Sequence, residues 1–194
     1  MRKSQGPVVA LLLAAVLTLA GCSQWLESPA KPANDAIAVA NGHLEKAASL
    51  EEQVQTKVAD LESLPATKDG ASQGLEITKG LRDTIASEKT ELASAKDAMD
   101  GVAKLEVADD YKKYAELESK TIDTRITMTD TTLRLFDAMD VLYNSLQKGG
   151  TKVEPQQIQA VIAQVKQELT DLSTQASDEA QAAADYFTSK GLGK

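Results

Sequence analysis

The 194-residue chain has one cysteine, Cys22, and one histidine, His43, and aromatic residues make up only 4% of it. A lone cysteine excludes an intramolecular disulfide, so a domain exported to an oxidising compartment must rest on its hydrophobic core. A lone histidine leaves no thiol–imidazole or hydroxyl–imidazole pair at a recognisable spacing, and Cys22 lies at the far N-terminal side of the chain. Few aromatics leave Leu, Val, Ile, Ala and Met to fill the interior, which suits helices packed closely side by side. Positive charge is also scarce: 21 Lys and Arg stand against 29 Asp and Glu, a formal net charge of -8. The lysines alternate with acids and form no basic stripe, so nucleic acid is excluded as a partner. A Gly-rich phosphate loop is missing too, since Gly149-Gly150 is short and follows a helical pattern.

The N-terminus opens with Arg2 and Lys3 and continues into an apolar run from Pro7 to Ala20 broken only by Thr18. A basic segment followed by a short apolar one is the pattern of an export signal. The run falls short of the about 20 apolar residues that a membrane-spanning helix requires. It ends in Leu19-Ala20-Gly21-Cys22, which resembles the lipobox of bacterial lipoproteins. That resemblance covers the first 22 residues and implies signal-peptidase recognition of Leu19, Ala20 and Gly21, with cleavage after Gly21. It also implies a diacylglyceryl group on the Cys22 thiol, carrying palmitate-type chains, and in some bacteria an acyl group on the new amine. Loss of Arg2 and Lys3 would leave 19 basic against 29 acidic residues. The rival reading is an ordinary secretory signal cut after the same small residues, in which the sole cysteine stands at that position by coincidence.

Two or three acyl chains, at about 0.8 kcal/mol per buried methylene, hold a protein on a membrane effectively permanently. The implied location is the outward face of the cell membrane, or the outer membrane where there is one. Ser23 is not the aspartate that resembles an inner-membrane retention signal. Residues 23–33, with Pro29 and Pro32, lack helical period and read as a tether of about 30 Å when extended. The expected organisation is a signal peptide over 1–21, a lipid-anchored tether over 22–33 and a helical domain over 34–190.

Apolar residues recur at three- and four-residue spacing in four segments. The first starts from Asn34 as N-cap and runs through Ile37, Leu44, Val54 and Leu61 to a stop at Pro65 and Gly70; the second runs from Leu75 to Val102. The third spans Asp109 to Gln147 with two acids in its first turn, and Gly149 stops it; the fourth opens at Glu154-Pro155 and carries Ile158, Val161, Val165, Leu169, Leu172 and Phe187. Short connections make neighbours antiparallel, so the expected fold is all-α, an up-down-up-down four-helix bundle. The weakest break is the second, where Gly101 and Leu105-Glu106-Val107 contain no proline. A continuous helix from Ser72 to Gln147, giving an open arm or a swapped dimer, is the alternative there.

Arg125 falls near the seam of the third segment among Thr121, Thr124, Thr127, Thr129, Thr131 and Thr132, and Glu51 and Glu88 stand where the seam of the first two segments asks for apolar residues. One reading is a polar layer with a threonine-lined cavity for a small ligand. The other is an ion pair that sets helix register, or glutamates that reach solvent. A carboxylate-bridged metal centre fails for want of Glu-x-x-His, and no pattern supports haem ligation by His43 with Met99, Met128 or Met139, so no metal or cofactor is expected. His43 reads as a surface residue. The turn Asp109-Asp110-Tyr111-Lys112-Lys113-Tyr114 loosely resembles one found in small exported helical-bundle proteins, its two rings packing over the second connection. Function is thus expected to be non-catalytic: a protein-binding or scaffolding module of the cell envelope, or a small-ligand sensor built on Arg125.

Overall fold

The computed structural model of the protein describes residues 30–149 and 155–193. The expected signal peptide, Leu19, Ala20, Gly21, Cys22 and most of the tether lie outside them. Four helices follow in order, α1 Lys31–Ser63, α2 Lys68–Val102, α3 Asp109–Gln147 and α4 Pro155–Lys190, with no strand among the described residues. Consecutive helices pack against each other in an all-α four-helix bundle.

α1 starts at Lys31, ahead of the expected cap at Asn34. Pro32 occupies the first turn, where its fixed φ suits the helix and no amide donor is lost. The Asn34 amide already donates to the Ala30 carbonyl at 3.0 Å. Gly70, expected to close this helix, instead belongs to the first turn of α2. Thr67 is the N-cap there, its hydroxyl accepting from the Gly70 amide at 3.1 Å, with Asp69 beside the positive end of the helix.

The second break is real, which removes the continuous-helix alternative. After Val102 the chain tightens through Lys104 and Leu105 amides that donate three residues back, to Gly101 and Val102. Leu105 and Val107 then fold onto the core, so burial of the connection's own apolar residues makes the stop that no proline supplies. Gly149 follows α3 with φ 79° and Gly191 follows α4 with φ 62°, left-handed positions that glycine adopts without a Cβ penalty.

The interior divides into two cores. At the end where α1 begins, Ile37, Ala40, Leu92, Met99, Tyr111, Tyr114, Ala183 and Phe187 bring together residues of all four helices. The Tyr114 and Phe187 rings lie 4.8 Å apart, so Tyr114 packs on α4. At the far end Val54, Leu61, Leu81, Ile85, Phe136 and Tyr143 unite α1, α2 and α3, and no described residue of α4 joins them. There α4 packs along α3, and Val161, expected on its apolar stripe, is 47% exposed.

Candidate functional site: the mid-bundle charged layer

The structure brings Glu51, Glu88 and Arg125 into one electrostatic cluster. Arg125 of α3 donates from Nη2 to Glu51 Oε2 of α1 at 3.2 Å, both side chains about a fifth exposed. Glu88 of α2 is buried, at 7% exposure, with no hydrogen-bond partner among the described residues and a slight solvent contact at its carboxylate. Burial pushes its carboxyl up to about 7, the Glu51 charge pushes in the same direction, and Arg125 opposes both. Burial is the main cause of the shift, and Arg125, already paired with Glu51, only partly offsets it.

A fourth member went unnoticed in the sequence. Glu118 lies two turns before Arg125 on α3; burial raises its carboxyl, while a hydrogen bond with Tyr114 and the Arg125 charge restrain it. Burial and the neighbouring Glu118 push the Tyr114 phenol well above its ordinary range. The seven-residue spacing of Glu118 and Arg125 was the available signal.

The threonine hydroxyls of the layer are engaged within the protein. Thr121, Thr127, Thr129 and Thr132 donate to carbonyls three or four residues back in their own helix. Thr124 donates to Glu179 Oε2 at 2.6 Å and Thr131 to Glu168 Oε1 at 3.4 Å, so these two hydroxyls stitch α3 to α4. A shallow, open groove of about 470 Å³ lies on α4, lined by Gln164, Gln167, Glu168, Asp171, Leu172 and Gln175 and by none of Glu51, Glu88 or Arg125.

His43 is not a bare surface residue. Its Nδ1 lies 2.6 Å from Glu91 Oε2 across the α1–α2 seam, with the Lys46 ammonium 3.8 Å from the same oxygen. The hydrogen bond with His43 holds the Glu91 carboxyl below its usual range. Met99 sits within the core shared by all four helices while Met139 packs on the other. No group of three or more His, Cys, Asp or Glu side chains suited to a metal occurs among the described residues.

Charged seams continue beyond the layer. Arg82 Nη2 lies 2.9 Å from Asp137 and 2.8 Å from Asp140, and Asp140 also accepts from Thr78 at 2.6 Å, tying α2 to α3. Arg134 Nη1 donates to Glu168 Oε1 at 2.8 Å between α3 and α4. Two turns from each of these, toward the far end, stand Val141 and Val161, both 47% exposed and on the continuation of that seam. Chemically, the layer holds charge and can take up a proton. Comparison with family models, with curated proteins and with solved structures found no match.

Proposed function

We propose that the protein is a lipid-anchored, extracytoplasmic helical bundle that binds or scaffolds a partner protein of the cell envelope and carries out no catalysis. The observation that carries this reading is the placement of the sole cysteine, Cys22, directly after Leu19-Ala20-Gly21 at the end of an apolar run. Two structural features support it. α1 begins at Lys31, close after Cys22, and its 33 residues extend about 50 Å, so an anchor at Cys22 would hold the far end of the bundle well away from the lipid surface. By helix period, the exposed Val141 and Val161 fall two turns beyond the Arg134–Glu168 bridge on α3 and α4.

The small-ligand reading draws less support, because the threonine hydroxyls that would line its cavity are engaged within α3 or with α4. Metabolic labelling with radioactive palmitate tests the anchor: label in the membrane fraction, lost in Cys22→Ser, is expected, and an unlabelled chain released from the membrane would overturn it. Photo-crosslinkers placed at Val141 and Val161 in intact cells test the binding face. Both positions should trap the same envelope protein while a crosslinker at Val39, exposed on α1, does not. Identical products from all three sites would remove the assignment to that face.

A further inference from the structure

Glu88 is a poor residue for its position. A buried carboxylate normally accepts several hydrogen bonds or pairs with a cation, because ionisation in a low-dielectric interior is otherwise costly. Glu88 is 7% exposed and accepts no hydrogen bond from a described residue, so its carboxylate keeps only a slight contact with solvent. α2 packs on α1 and α3, and the charged groups that face Glu88 from them are Glu51 on α1 and Arg125 on α3. Since Arg125 pairs with Glu51, an ionised Glu88 adds an uncompensated charge that repels α1. A neutral Glu88 removes the repulsion and leaves an O–H donor.

The same two helices carry a second proton-dependent contact. His43 sits eight residues before Glu51 on α1, and its partner Glu91 sits three residues after Glu88 on α2. Imidazole is a cationic partner for Glu91 only when protonated. Lys46 is the other charged group at that carboxylate, 64% exposed and 3.8 Å away. Both contacts respond to a proton in the same sense: gaining one favours the approach of α1 to α2, and losing one opposes it.

We infer that the α1–α2 seam is a proton-operated clamp, drawn together when Glu88 and His43 hold their protons and loosened when both are lost. The sign follows from binding. A folded state that keeps Glu88 protonated up to about 7 holds a proton that the unfolded chain surrenders in the ordinary carboxylate range. Stability from this group is therefore greatest below that ordinary range, falls as the pH rises toward 7, and is level above it. The clamp rests on the bundle alone and is independent of the anchor at Cys22.

Amide hydrogen exchange on the full chain as isolated from cells tests the clamp. After correction for intrinsic exchange, protection across residues 44–61 and 81–92 should fall roughly tenfold or more between pH 5.5 and pH 8, because a proton held one pH unit longer in the folded chain changes its equilibrium about tenfold. The α3–α4 seam should change less. Glu88→Gln should remove most of the response and the Glu88→Gln, His43→Gln pair nearly all of it. Equal protection at both pH values in the wild type, or an undiminished response in the folded double variant, would overturn the clamp. The carboxyl ¹³C shift of Glu88 in the wild type gives a check that needs no variant: a midpoint near 7 supports it, and one in the ordinary carboxylate range overturns it.

Discussion

Replacing Gly74 by alanine sets two effects of known size against each other. Alanine in place of an exposed helical glycine stabilises by about 0.5–1 kcal/mol, because glycine loses more backbone freedom on folding. At Gly80, where nothing lies within 4 Å of the added methyl, that gain should appear in full. At Gly74 the methyl would lie 2.5 Å from both Cε2 and Cζ of Tyr143, whose ring is held in the far-end core. Moving a packed ring costs about 1–3 kcal/mol, so the net expectation is a loss of roughly 1–2 kcal/mol. For a chain of this size that lowers Tm by about 2–8 °C, while Gly80→Ala raises it by about 1–4 °C. Thermal unfolding followed by circular dichroism distinguishes the two, and Tyr143→Ala in the Gly74→Ala background should show favourable coupling. If Gly74→Ala stabilises as much as Gly80→Ala, α2 and α3 do not approach there and the packing argument fails.

Three further outcomes follow from the same geometry. Phe136→Ala should cost about 3–5 kcal/mol in urea unfolding, since its fully buried ring joins α1, α2 and α3. Thr67→Ala removes the hydroxyl that accepts from the Gly70 amide and should cost about 1 kcal/mol, whereas Thr67→Asp should recover most of it. Asp140→Asn weakens links to both Arg82 and Thr78 and should raise exchange at the far end of the α2–α3 seam; unchanged exchange would show that seam to be held by apolar contacts alone.

The limits of α3 and α4 were legible because chemistry marks them: Asp109-Asp110 at one start, Pro155 at the other, and Gly149 after α3. The starts of α1 and α2 were not. Ala30 caps α1 without a side-chain hydrogen bond, and the first turns of α2 bury Gly70, Ala71 and Gly74, small residues that barely register as an apolar stripe. Glu51 and Glu88 stood out because each interrupts the 3–4 count and Arg125 because it falls near a seam, while no comparable signal marked Glu118. Whether a threonine hydroxyl turns back on its own helix depends on rotamer and neighbour, which the sequence does not show. The separation of α4 from the far-end core was also unreadable, since Ile158, Val165 and Leu169 repeat alike whether one neighbouring helix covers them or two.

Arg125→Met bears on both the layer and the function. Removing the guanidinium leaves Glu51 without its cation and lifts from Glu88 and Glu118 the charge that restrains their carboxyls. Breaking a fully buried pair from one side costs about 3–5 kcal/mol, and partial exposure here reduces that to about 1–3 kcal/mol near pH 7.5. The loss should shrink at pH 5: with the cation gone the carboxyls shift further up, the folded state binds protons more readily, and stability is retained at low pH and lost as the pH rises through their range. Glu51→Gln added to Arg125→Met should recover part of the loss at pH 7.5, because it removes the stranded charge as well. Urea unfolding at the two pH values measures this, and an equal loss at both would mean that Arg125 acts through packing of its stem and not through charge. The same variant separates the functional readings. If the α3–α4 face carries the binding, crosslinks from Val141 and Val161 persist in Arg125→Met as long as the chain is folded. Their loss from a folded variant would instead transfer binding to the charged layer.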